Sequence, residues 1–210
     1  MIITITGDLG SGKSTAGKLL AEQLGYTYLS TGQIQRELAG KLGITIHELN
    51  KQAETDSSID KQLDEYIKGL QHNSANMVID SRLAWHFLPN SYSVYLVVDP
   101  ATAATRIYND ATRGDSESNY LSVNDVLQKN SERKRSEHKR FLELYDVDCG
   151  DMCNYDVVID TTGVAAGDVV ARILAKMVDR YGFVNDGEFT SDEIMNFLSE
   201  EGDSDDENCK

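Results

Sequence analysis

The 210-residue chain is short of proline, cysteine and positive charge, and each shortage excludes something. Two prolines rule out a polyproline or collagen-like architecture. Three cysteines, Cys149, Cys153 and Cys209, are an odd set without CxxC spacing. They do not make a disulfide scaffold, and a reduced, cytosolic interior is expected. Four histidines, His47, His72, His86 and His138, form no HExxH pair or ligand cluster, so no transition-metal site is expected. No stretch reaches the ~18–20 apolar residues of a membrane span. The opening MIITITG is too short for a signal peptide and has no basic flank, so no membrane partner is expected. Lys and Arg total 20 against 35 Asp and Glu, a net charge of −15, which argues against nucleic-acid polymers as partners.

That deficit is uneven. Residues 183–210 hold ten acidic side chains and one lysine, a net −9, and read as an acidic, disordered tail. Residues 1–182 hold 25 acidic and 19 basic side chains, a net −6. With 40% apolar residues, that body is long enough to bury a core as one domain.

Along the body, strand and helix patterns alternate. Strands are expected at 2–6, 26–29, 77–80, 92–98 and 155–159 from β-branched and buried runs. Helices are expected at 14–24, 32–42 with Thr31 as cap, 46–50, 59–71, 101–110, 123–145 and 165–181. The order predicts an α/β domain whose five-stranded, mostly parallel sheet carries helices on both faces.

Gly7-Asp8-Leu9-Gly10-Ser11-Gly12-Lys13-Ser14 satisfies GxxxxGK[ST] between the first strand and the first helix. Its glycines let the backbone curl so that successive N–H groups point at phosphate oxygens, and the helix start adds its positive end. Lys13 is placed to reach β- and γ-phosphates, and Ser14 to ligate Mg²⁺. The loop indicates a nucleoside triphosphate without stating what is done with it.

Three further features bear on a second substrate. Thr31 and Arg36 flank the first turn of a helix and can converge on one phosphate, although taken alone a plain cap with a surface arginine is the better reading. Asp80-Ser81-Arg82 ends the third strand, on the side where open α/β sheets bind ligands, or is simply a salt-bridged turn. Residues 129–140 hold six basic and two acidic side chains. Arg133, Glu137 and Arg140 there share one helix face, while Lys134, Arg135 and Lys139 point elsewhere into solvent. Fixed arginine charge suits phosphoryl transfer, but a solvated helix with internal ion pairs has the same composition.

Taken together, the loop, Ser30-Thr31-Gly32-Gln33-Ile34-Gln35-Arg36, Asp80-Ser81-Arg82 and Glu132-Arg133-x-x-Ser136-Glu137-x-x-Arg140 resemble the cytidylate kinases, in the compact branch typical of archaea. The similarity spans about residues 1–176. It implies a P-loop nucleoside monophosphate kinase fold, with a helical monophosphate-binding insert at about 31–72 and a short lid at about 106–120. It implies transfer of the ATP γ-phosphoryl group to CMP or dCMP with Mg²⁺, by a protein that is typically monomeric. Gly7 to Gly12, Lys13, Ser14 and Thr15 would bind ATP. Ser14 would hold Mg²⁺, with Asp80 acting through water. Thr31, Arg36, Asp80, Arg82, Arg106, Glu137 and Arg140 would meet CMP. Lys13, Arg113 from the lid, Arg133 and Arg140 would serve catalysis. Rivals are P-loop kinases of UMP, AMP, shikimate, gluconate or dephospho-coenzyme A, and an ATP-binding sensor without transfer activity.

Overall fold

The computed structural model describes residues 1–54, 56, 58–72, 76–110 and 120–181. The acidic tail, and lid residues 111–119 with Arg113, lie outside the described residues. Five strands form one sheet: β1 (Ile2–Gly7), β2 (Thr27–Ser30), β3 (Met77–Asp80), β4 (Tyr92–Val97) and β5 (Val157–Asp160). Their order is β2-β3-β1-β4-β5, and all four pairings are parallel. The helices are α1 (Lys13–Leu24), α2 (Thr31–Leu42), α3 (Ile46–Ala53), α4 (Ser58–Gly69), α5 (Ala84–Phe87), α6 (Pro100–Asn109), α7 (Val123–Tyr145) and α8 (Ala166–Tyr181).

The pleat divides the core in two. Ile3 and Ile5 of β1, Val78 of β3 and Val94 and Leu96 of β4 pack under α1 and α8, against Leu20, Ile173 and Met177. On the other face Ile2, Met77 and Ile79 meet Ile67 of α4, Phe87 of α5 and Phe141 of α7. Strands buried on both faces read as continuous apolar runs, which is why the sequence pattern located them.

Boundaries differ where local chemistry outweighs periodicity. β2 and β5 begin one and two residues later than expected, at Thr27 and Val157, and α3 runs on to Ala53 behind a full Thr45–Glu48 capping box. The α2 cap is Ser30, not Thr31, and its Oγ accepts from Gln33 N at 3.3 Å. The Ser-x-x-Gln spacing was the signal for it. Thr31 begins the helix and donates its hydroxyl to Asp80 O at 3.2 Å. The four-residue α5 is too short for periodicity to announce.

This topology brings Gly7, Ser30 and Asp80 to one carboxyl edge of the sheet. In register, Asp80 stands beside Ile5 of β1 and Ser30 of β2. A crevice outside that edge is where such sheets bind ligands.

Candidate active site

The loop between β1 and α1 closes on itself. Gly7 adopts φ 137°, and a Cβ there would lie 2.1 Å from Leu96 O, so β1 can approach β4 this closely only with glycine. Ser11 Oγ donates to Asp8 O at 2.9 Å. Lys13 Nζ donates to Gly7 O at 2.9 Å and to Asp8 O. Burial, and next the neighbouring Arg82, pull the Lys13 ammonium down to about 7 against Asp80 and Asp8. Gly12, at φ 85°, caps α1 without a side-chain hydrogen bond, which leaves the first helical N–H groups to a ligand. Thr15, next to Ser14 in the first turn of α1, is exposed.

Asp80 gathers three hydroxyls on its Oδ2. Ser14 Oγ donates at 2.7 Å, Tyr28 OH at 3.1 Å and Ser30 Oγ at 3.4 Å. Burial, then the adjacent Asp80 charge, push the Tyr28 phenol up to about 12, so it remains a donor. Neither Tyr28 nor Ser30 was singled out by sequence reasoning. Arg36 folds back along α2, with Nη1 3.5 Å from where a Gly32 Cβ would stand. Arg36 thus lies beside the first turn of α2, where the Thr31 hydroxyl is turned to Asp80 O.

Arg82 leaves β3 and crosses to α7. Its carbonyl is fixed by Thr6 Oγ1 at 3.1 Å and Trp85 Nε1 at 3.1 Å. Its Nε pairs with Glu137 Oε2 at 2.9 Å, and its Nη1 donates to Gly7 O. Arg133 Nε takes the other Glu137 oxygen at 2.7 Å. Burial alone would raise the Glu137 carboxyl, but Arg82, Arg133 and Arg140 hold it down to about 2. Glu137, expected at the cytidine end, is here the shared counter-ion of two guanidiniums.

Arg140 turns away to pair with Asp60 of α4, Nε to Oδ2, at 2.7 Å. Arg106 lies beside the loop rather than beside Thr31 and Arg36. It donates to Thr161 O at 2.7 Å and to Gly10 O at 3.4 Å. Lys134, expected in solvent, reaches Asp8 Oδ1 at 2.6 Å. Nothing in the local pattern distinguishes it from Arg135 or Lys139, because its partner is 126 residues away.

Two hollows flank Glu137. One of about 330 Å³ runs from Asp8 and Leu9 to Tyr95 and Phe141. The other, about 250 Å³, lies between α3 and α7 and is lined by Asn50, Lys51, Glu54, Glu132, Arg133 and Ser136. The site thus joins a backbone cradle with a lysine to a group of arginines around Glu137, with a hollow on either side of that carboxylate.

The cytidylate kinase-like family profile matches residues 2–163. The chain belongs to this family. It is 35% identical to the cytidylate kinase of Natronomonas pharaonis over 86% of this chain and 91% of that one. The cytidylate kinase of Methanosarcina mazei is 36% identical over 77% and 87%. A relative in Lacinutrix mariniflava, called an S-adenosylmethionine-dependent nucleotide dehydratase, is 35% identical over 82% of this chain, which spans only 35% of that longer protein. Among solved structures, shikimate kinase from Acinetobacter baumannii superposes with a TM-score of 0.56 at 22% identity, covering 86% of this chain and 94% of that one. A gluconokinase from Sinorhizobium meliloti gives 0.54 at 15% identity, over 94% and 96%. These neighbours share the P-loop kinase fold. Family membership makes the chain an ATP-dependent nucleoside monophosphate kinase. Among the described residues, no helix is long and apolar enough to cross a membrane.

Proposed function

We propose that this kinase transfers the γ-phosphoryl group of ATP to CMP or dCMP, giving ADP and CDP or dCDP. The observation that carries the reading is the convergence of Lys13 Nζ and Arg82 Nη1 on one neutral oxygen, Gly7 O. Lys13 donates to two neutral carbonyls, Gly7 O and Asp8 O, and Arg82 keeps Glu137 on its Nε edge, so phosphate oxygens arriving at Gly7 O would give the two cations an anionic acceptor in common. The loop supplies one of these cations and the arginine ring the other, so donor and acceptor phosphates would meet between them.

In this reading Gly7 to Thr15 wrap the ATP triphosphate, and Arg106 steadies the loop from the Thr161 side. Thr31, Arg36, Arg82 and Arg140 bind the acceptor phosphate. Arg133 and, from the lid, Arg113 offset the charge that develops between the two phosphates. The hollow between α3 and α7 takes the nucleoside. The α2–α4 segment is then the monophosphate-binding insert, and 106–120 the lid. A second arginine set beside the loop favours an acceptor that already carries phosphate, whose higher charge uses more guanidiniums than the single carboxylate of shikimate or gluconate.

Ser14 Oγ and Asp80 Oδ2 stand 2.7 Å apart, and an all-oxygen pair of this kind suits Mg²⁺. Ser14 would hold the ion directly and Asp80 through water. Bound with ATP, it would offset charge on the β- and γ-phosphates. The acceptor is already an oxyanion, so no strong general base is needed, and positioning and electrostatics carry the reaction. A coupled ADP-release assay with CMP, dCMP, UMP, AMP and GMP tests the proposal. CMP and dCMP are expected to give the highest kcat/KM, and no turnover of any pyrimidine monophosphate would reject it.

A further inference from the structure

Arg140 and Asp60 are each almost fully buried, 7% and 5% exposed. Their Nε and Oδ2 atoms are 2.7 Å apart but not aligned for a hydrogen bond, and Arg140 Nη1 has no partner among the described residues. Such a pair is a poor way to stabilise a fold. Desolvating two charges costs several kcal/mol, and apolar replacements of equal volume are often neutral or better. A buried donor left unpaired next to Glu137, which lines both hollows, needs another account, and a ligand that supplies the missing acceptor gives one.

The setting says which ligand. Arg140 follows Glu137 by one turn less a residue, on the α7 face turned to α4. The same insert reaches α7 twice more, through Glu54 to Ser136 and Asp64 to Tyr145. Among the described residues the insert thus sends three carboxylates to α7, and of these Asp60 meets a guanidinium.

We infer that Asp60 is a positioning residue for the acceptor phosphate: from α4 it grips the Nε edge of Arg140 and leaves Nη1 for a nucleoside monophosphate. The inference rests on the reading above that Arg140 meets that phosphate. It links insert and α7 to monophosphate affinity and leaves the ATP loop out. Asp60 touches neither substrate and acts only through Arg140.

The test uses the full chain and separate KM and kcat values for ATP and CMP. Asp60→Asn is expected to raise the CMP KM about tenfold while the ATP KM stays within about twofold, the pattern of lost ground-state binding. Asp60→Glu keeps the charge but displaces the guanidinium by a methylene, and about a threefold rise in the CMP KM is expected. It keeps the test alive should the asparagine variant fold poorly. Asp64→Asn, which breaks the Tyr145 contact alone, is expected to lower the unfolding temperature without moving the CMP KM. Equal shifts in both substrates' KM would overturn the inference. So would an unchanged CMP KM in the two Asp60 variants, or an Asp64→Asn shift as large as that of Asp60→Asn. Failure of the functional reading would be visible first, as a wild-type protein that turns over no CMP. The variants would then be assayed with whichever monophosphate it does phosphorylate.

Discussion

The phosphate loop and the arginine ring touch where Arg82 Nη1 donates to Gly7 O, and they are built in opposite ways. The loop is eight consecutive residues with internal hydrogen bonds to its own carbonyls, as from Ser11 to Asp8 and from Lys13 to Gly7. The ring joins Arg82 after β3, Arg133, Glu137 and Arg140 on α7, and Asp60 on α4. In the proposed reading the loop would bind with neutral N–H groups and one cation. The ring holds three guanidiniums and must carry Glu137 and Asp60 to do so. A site for anions made from backbone can be nearly free of structural consequence. One made from buried charge is tied to stability.

The comparison breaks most visibly at Lys13. Lys13→Ala is expected to lower turnover about 10³-fold, as for loss of a principal oxyanion donor, while the denaturant midpoint scarcely moves. A large loss of stability would place the lysine in the fold rather than in the chemistry. Arg133→Ala should lower kcat about 10²-fold in the same assay. Unlike Lys13→Ala, it should also destabilise, because Glu137 loses one of its two partners. Turnover unchanged by Arg133→Ala would confine catalysis to the loop.

Glu137→Gln sharpens the contrast through pH. The folded carboxyl lies near 2, below its unfolded value, so its contribution is present above about pH 4.5 and is lost as pH falls towards 2. A carboxyl held down from 4.5 to about 2 contributes about 3 kcal/mol at neutral pH. Urea unfolding of both proteins at pH 7, 5, 4 and 3 should show the difference shrinking through that window. A constant gap would mean that Glu137 acts by packing alone.

For the loop the sign is reversed. Lys13 sits near 7 without ligand and would regain its proton beside phosphates. Calorimetry of ATP binding at pH 8, in buffers of different ionisation heat, should record uptake of close to one proton, fading towards pH 6. No uptake at pH 8 would show that the ammonium is not depressed. The smallest effect belongs to Lys134→Met. The Lys134–Asp8 pair is 2.6 Å long, but the Lys134 side chain is 63% exposed. Solvent screening keeps the change within about 1 kcal/mol.

The same contrast explains what was legible in the sequence. The loop was complete as a string, because its chemistry is local and its glycines are obligatory. All five strands were found, β1, β3 and β4 as buried runs and β2 and β5 as short apolar stretches with exposed positions, and α7 was found to the residue at Val123–Tyr145. The spacing of Arg133, Glu137 and Arg140 gave a shared face but not the partners. Glu137 meets Arg82 across 55 residues, and Asp60 is one acid among several on a polar helix. Lys134 reads as solvated because helical periodicity knows nothing of a loop folded against it. Long-range pairing of charges is a property of the topology, and periodicity does not encode it.

The most direct test of the account is the unfolding temperature of the full chain with a non-hydrolysable ATP analogue, Mg²⁺ and one monophosphate at a time. At equal concentration, ligands that bind only the folded state raise it more the tighter they bind, with the logarithm of their affinity. CMP or dCMP should give the largest rise, in a series with UMP, AMP and GMP. A larger rise with a purine monophosphate, or none with any of the five, would contradict it.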